Sequence, residues 1–341
     1  MTTTAGLDPA RLHQLTMGFF ASRAVQAAVE LDLFTELAAA AGTAAEVERR
    51  CGLHPRSSRD FLDALVALDL LDRDDEDRYQ PTPSTRMFLD RNSPAYLGGL
   101  AEMAGTVLYG VWGNLTEALR TGKPQGAAGA VFLDGMYQDP VTARKFMAAM
   151  DTVSTRVAVE LAAALRLSEA PEPTTVVDVG GARGNLLGVL LSANPTLRGV
   201  CLDLPAVERL YDEHIPRFGL GDRIRFAAVD FERAPLPAGD VLVLGHVLHG
   251  ASPDDRAMLL GKAHAALPAG GRVAIYDRMI ADDRRGSALS LLGSLNMLLT
   301  TPDGAEYTVA DCRELLVRHG FDDVTSQPIA GTETLVIATR R

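Results

Sequence analysis

From Thr174 to the C-terminus, short apolar runs alternate with stretches whose apolar residues recur at helical spacing. This alternation, more than any other feature, narrows the folds open to the chain. The runs are VVDV, RGVCLD, RIRFAAVD, DVLVLGH, GRVAIYD, VTSQPI and ETLVIAT. Strand and helix repeated in this order predict an α/β fold built on a doubly wound sheet. Ligands of such a sheet lie beyond the carboxyl ends of its strands, so the residues that close each run are the ones to inspect.

Three of those ends carry an acid. The first run closes on Asp178 and passes into a turn containing Gly180, Gly181 and Gly184, where missing Cβ atoms let the backbone approach a ligand. The second closes on Asp203, 19 residues after Gly184 and followed by Leu204, at the separation expected of an acid that holds two ribose hydroxyls. The third ends in Asp230 and Phe231, a carboxylate and a ring face suited to adenine. A pyrophosphate would be repelled by Asp178 at a helix start, which argues against a dinucleotide. A cationic nucleoside fits better. S-adenosyl-L-methionine has the adenosine, no phosphate, and a sulfonium and an ammonium that a carboxylate favours. Each acid could instead cap the following helix, but three at successive strand ends make helix capping a poor explanation.

At 341 residues the chain exceeds the size at which one core usually keeps growing, so more than one domain is expected. Residues 1–100 read as a mostly helical domain, 101–170 as a helical linker, and 171–341 as the sheet domain, with a Pro-marked boundary at PEPTT. Within the first domain, TAAEVERRCGLH and SSRDFLDALVALDLLDR give two helix patterns, followed by a hairpin-like polar stretch from Asp74 to Pro83. That order is a winged helix. Its charge argues against DNA: residues 1–100 hold 10 Lys plus Arg against 15 Asp plus Glu, and the whole chain carries a formal charge of -11. Association with a second copy, through the apolar helices of residues 9–40, is the better reading.

Cys51, Cys201 and Cys312 are far apart and suggest neither a disulfide framework nor a zinc knuckle, and no metal is expected. A reducing cytoplasm suits them. No apolar stretch approaches the roughly 20 residues of a membrane helix, and the N-terminus does not read as a secretion signal.

The run DVLVLGHVLHG places His246 and His249 at a strand end, while Asp277 closes GRVAIYD and Glu306 precedes a helix pattern. One histidine with separated carboxylates makes a general base with orienting partners, although either histidine could serve packing alone.

These residues resemble the small-molecule O-methyltransferases of the caffeate and acetylserotonin type, in the branch that decorates bacterial secondary metabolites. The resemblance runs from SRAVQAAVELDLFTEL through DVGGARGN, CLDLP, VDF and LHGASPDD to SLNMLLTTPDGAEYT, nearly the whole chain. It implies a Rossmann-like class I methyltransferase sheet, an N-terminal winged-helix dimerisation domain, a homodimer, and an aromatic small-molecule acceptor methylated on a hydroxyl. It also implies His249 as general base, with Asp277 and Glu306 as its partners. The cofactor pocket would take in Gly245 and His246 beside the strand-end residues, and Met103, Trp112, Phe146, Met150, Asn296 and Met297 would line the acceptor pocket. Four positions depart from the family pattern: Ala182 replaces a usual glycine, Gly245 a basic residue that often touches the cofactor, and Gly250-Ala251 a common Asp-Trp. The departures keep two alternatives open: methylation of carbon or nitrogen, and a reaction that uses the sulfonium only electrostatically. A metabolite-sensing winged-helix regulator is less favoured by the acidic first domain.

Overall fold

The computed structural model describes residues 8–93, 95–125 and 139–341. The chain forms two compact units, 1–109 and 110–341.

In the N-terminal unit, helix α1 (Pro9–Glu30) begins where Asp8 Oδ1 accepts from the backbone N–H groups of Ala10 and Arg11, with Pro9 in the first turn where its missing N–H costs nothing. Helix α2 (Leu33–Ala39) and strand β1 (Gly42–Thr43) follow. Helix α3 (Ala44–Cys51) ends at Gly52, whose φ of +68° stops the turn, and α4 (Pro55–Ala67) leads into the hairpin β2 (Leu71–Arg73) and β3 (Arg78–Pro81). Two helices and a hairpin in this order are the winged-helix arrangement that the sequence predicts. Helices α5 (Pro83–Leu89) and α6 (Gly98–Met103) complete the unit. Its core is Leu33, Phe34, Leu37, Val47, Leu62, Leu65 and Tyr79, all buried.

In the second unit, helices α7 (Leu115–Thr121) and α8 (Pro140–Ala164) precede the sheet. Residues 126–138, part of the helical stretch predicted from the sequence, lie outside the described residues. The strands are β4 (Thr174–Val179), β5 (Leu197–Asp203), β6 (Ile224–Ala228), β7 (Val241–Gly245), β8 (Arg272–Asp277), β9 (Phe321–Ile329) and β10 (Glu333–Arg340), so every apolar run is a strand. Helices α9 (Asn185–Ala193), α10 (Glu208–His214), α11 (Pro253–Ala266), α12 (Ala288–Thr300) and α13 (Val309–Arg318) connect them.

The spatial order is β6-β5-β4-β7-β8-β10-β9, with β4 to β8 parallel and β10 antiparallel to both neighbours. Succession runs from β4 outward through β5 and β6, then returns to β7 on the other side. The order therefore reverses between β4 and β7, which opens a crevice at their carboxyl ends. The central strands read as unbroken apolar runs because both faces are covered: Val177, Leu202, Leu244 and Ile275 pack on one side, Val176, Val243, Ala274 and Leu335 on the other.

Candidate active site

The glycine turn starts where β4 stops. Gly180 and Gly184 have φ of +70° and +80°, and the Gly180 and Gly181 N–H groups both donate to the Leu202 carbonyl, at 2.8 and 3.1 Å, tying the turn to β5. A Cβ on Gly181 would lie 2.8 Å from both Asp178 Oδ2 and Cys201 Sγ, so that position admits no side chain. Ala182 has φ of +50°, a left-handed conformation that explains why a glycine is usual there.

Asp203 faces the same turn from the end of β5. Its Oδ2 accepts from Ala182 N at 2.8 Å and its Oδ1 from Leu204 N at 2.7 Å, which fixes the carboxylate while leaving it lone pairs for ribose hydroxyls. Asp178 and Asp203 are both buried. Burial, joined by the negative charge of Asp203, pushes the Asp178 carboxyl up to about 8; burial also raises Asp203, to about 6, against the two amides that lower it. Both carboxyls therefore hold their protons more firmly than exposed ones do.

A cleft of about 590 Å³ opens above this turn. Asp178, Gly180, Gly181, Asp203 and Leu204 line it from β4 and β5, Asp230 and Phe231 from the loop beyond β6, and Gly245 and His246 from the end of β7. Strand β6 stops at Ala228, so Asp230 and Phe231 stand two and three residues beyond it rather than at its end. Gly184 does not reach the cleft; it caps α9 in a left-handed conformation, packed under the Tyr211 ring.

Several residues in or beside the cleft escaped the sequence reading. Arg183, inside the turn, forms an ion pair with Asp151 of α8, with Arg183 Nε at 2.8 Å from Asp151 Oδ2. Asn185 Nδ2 donates to Asp151 O, Ser154 Oγ and Thr155 Oγ1 on the same helix. The glycine turn and the helix that supplies Phe146 and Met150 to the cleft are thus one hydrogen-bonded body. Tyr276 of β8 is another such residue. It stands opposite Gly245 in the β7–β8 register, and a Cβ on Gly245 would lie 2.0 Å from Tyr276 Cζ. The tyrosine ring occupies the space that a side chain at position 245 would need.

Beside the cleft lies a buried polar cluster. His249 sits in a short 3-10 turn, Leu248–Gly250, held by Arg256 Nε donating to the Leu248 carbonyl at 2.7 Å. Its Nδ1 is 2.9 Å from Glu306 Oε1 and 3.5 Å from Asp277 Oδ1. Tyr307 donates its hydroxyl to the other Asp277 oxygen, and Ser294 Oγ of α12 accepts from the Glu306 N–H at 3.2 Å. Burial alone would push the His249 imidazole down, but the carboxylates of Asp277, Glu306 and Glu333 outweigh it and hold the ring above the ordinary imidazole range. The His246 ring, 5.2 Å from that of His249, is pushed the other way by burial, by His249 and by Arg278. Burial raises Asp277 to about 7, with the His249 charge opposing it. Nitrogen and oxygen donors of His246, His249 and Asp277 lie within 4.8 Å of one another, a separation that a metal ion could span. His249 Nδ1, however, is already committed to Glu306.

The acceptor-pocket candidates do not all meet. Phe146 and Met150 line the cleft, whereas Trp112 and Asn296 bind each other, Nε1 to Oδ1 at 3.0 Å, next to Met297 on α12. Met103 ends α6 in the N-terminal unit.

A switch-point cleft lined by three acids beside a carboxylate-backed imidazole suits a group-transfer enzyme. The comparisons give its kind. The family model of the O-methyltransferase domain matches residues 112–322, and that of the O-methyltransferase dimerisation domain matches residues 13–91. The chain is 49% identical over 332 residues to a tetracenomycin polyketide synthesis 8-O-methyltransferase of Streptomyces glaucescens, covering 97% of each. It is 39% identical over 327 residues to an N,N-dimethyltransferase of Streptomyces rimosus, covering 94% of each. Human N-acetylserotonin methyltransferase in complex with S-adenosylmethionine superposes with a TM-score of 0.90 at 27% identity, covering 100% of this chain and 99% of that one. The chain belongs to the O-methyltransferase family and is an S-adenosylmethionine-dependent O-methyltransferase. Among the described residues no helix is long and apolar enough to cross a membrane.

Proposed function

We propose that this enzyme methylates a phenolic hydroxyl of an aromatic, polyketide-type secondary metabolite, with His249 as general base. The observation that carries the reading is the bond between His249 Nδ1 and Glu306 Oε1, 2.9 Å long with Asp277 Oδ1 at 3.5 Å. A buried carboxylate accepting from Nδ1–H fixes the tautomer and leaves the Nε2 lone pair to take a proton. The 8-O-methyltransferase at 49% identity supports a polyketide acceptor.

S-adenosylmethionine, when bound, supplies an electrophilic methyl group on a sulfonium. Asp203 would orient the ribose, Asp230 and Phe231 the adenine, and Asp178 the ammonium. His249 Nε2 would take the phenolic proton as the oxygen attacks, because a phenol with pKa near 10 is a poor nucleophile at neutral pH until that proton leaves. Asp277 and Glu306 would then face an imidazolium and stabilise it. The N,N-dimethyltransferase at 39% identity supports a second reading, transfer to an amine, for which His249 would matter less.

A phenolic aromatic panel and an amine panel, each offered with methyl-labelled cofactor, separate the two. With a phenol, His249→Ala should lower single-turnover transfer by roughly 10²-fold or more, with cofactor affinity nearly constant and rate recovering at high pH. Near-full activity of that variant at neutral pH would remove His249 as the base. The chain would work as a homodimer, for which the matched dimerisation domain is the support.

A further inference from the structure

The antiparallel hairpin β9–β10 brings a third carboxylate to the histidines. Thr334 of β10 stands opposite Asp277 of β8, which sets Glu333 at the end of the strand beside Arg278. Glu333 is buried; its Oε2 lies 3.7 Å from His246 Nε2 and its Oε1 3.8 Å from Arg278 Nε, and the Thr332 hydroxyl donates to Oε1 at 2.9 Å. His246 in turn sits 3.9 Å from Asp277 Oδ1, the atom that His249 approaches at 3.5 Å. Glu333 Oε2, His246 Nε2 and Asp277 Oδ1 are all buried without a hydrogen-bond partner. Unpaired buried polar atoms are costly, and at these separations, mostly beyond hydrogen-bond length, the groups act on one another through their charges.

We infer that Glu333 is a positioning residue for the histidine pair, its charge acting through His246 and Asp277 to set how firmly His249 holds a proton. Among the described residues, the charged and titratable groups that face the pair are Tyr276, Asp277 and Arg278 from β8 and its end, Glu306 ahead of α13, and Glu333 from β10, while Tyr307, Cys312 and Arg256 stand behind them, against Asp277 or the Tyr307 ring. Asp277, Glu306 and Glu333 supply negative charge and favour the His249 imidazolium, and Arg278 opposes a charge on His246. The carboxylate of Glu333 is among the groups that raise His249, a direction consistent with the geometry. A purely structural Glu333, serving only to anchor Thr332 and Arg278, would leave the titration of His249 where it is.

The inference rests on His249 being the base only for its catalytic meaning, because the test reads the imidazole itself. Full-length protein labelled at histidine is titrated by NMR, with His249 assigned by loss of its signal in His249→Ala. Glu333→Gln, nearly isosteric, should lower the His249 midpoint by about one pH unit, roughly tenfold in proton affinity. Glu333→Asp, which keeps the charge but withdraws it, should give a smaller fall. An unmoved midpoint in a folded Glu333→Gln protein overturns the inference; if that variant does not fold, an unmoved midpoint in Glu333→Asp overturns it. Should His249→Ala retain full activity while Glu333→Gln shifts the midpoint, the base assignment fails and this inference stands.

Discussion

Asp178 shows what burial does to a single residue's chemistry. With its carboxyl pushed up to about 8, it holds a proton at neutral pH until a cation faces it. In the role proposed for Asp178, pairing with the cofactor's ammonium would require the ionised form, so below pH 8 binding would have to expel that proton. Affinity should therefore rise with pH between about 6 and 8, by up to about tenfold per unit. Calorimetry in phosphate and in Tris, whose ionisation heats differ, should show proton release that disappears in Asp178→Asn. Identical heats in the two buffers would remove Asp178 from the cation's partners. The acid itself was legible from its place at a strand end, but its raised proton affinity was not, because that depends on Asp203 and on the surrounding burial.

At the scale of elements, the β7–β8 pair decides the wall of the cleft. Position 245 lacks the basic residue often found there, and the space is filled by Tyr276, one strand away. Gly245→Ala should overpack the pair and cost about 1–3 kcal/mol in urea unfolding. Tyr276→Val in the same chain should recover part of that loss, a coupling expected of two residues in contact. Additive effects would mean that the ring moves aside freely. Strand identities and the glycine turn could be read from the sequence, since apolar runs and Gly positions are local signals. Tyr276, Glu333 and the Arg183–Asp151 pair could not, because each acquires its role from a partner on another element.

The whole molecule must also hide an apolar strip. Helix α1 exposes Leu12, Leu15, Phe19 and Phe20, at 68, 71, 49 and 61% of their surface, within or next to the matched dimerisation segment 13–91. Four large apolar side chains on one exposed helix mark an association surface. Leu15→Glu with Phe20→Glu should convert the expected dimer to monomer at micromolar concentration, measured by light scattering with near-native helical content. Wild-type protein that scatters as a monomer would defeat the idea.

The sequence by itself determined the strands, the winged helix, the acids at the ends of β4 and β5 and just beyond β6, and the histidine with two carboxylates. Periodicity, turn chemistry and strand-end position are local properties, and the motifs that carry the family resemblance are local too. The strand order, with its reversal between β4 and β7, and the antiparallel return of β10 were decided only in three dimensions, where sheet burial and register select one pairing among many. That return places Glu333 beside Arg278, next to His246 and Asp277, more than 50 residues along the chain from either. Proton affinities in the site follow from such distant neighbours and from exclusion of water, and both exist only once the sheet has closed.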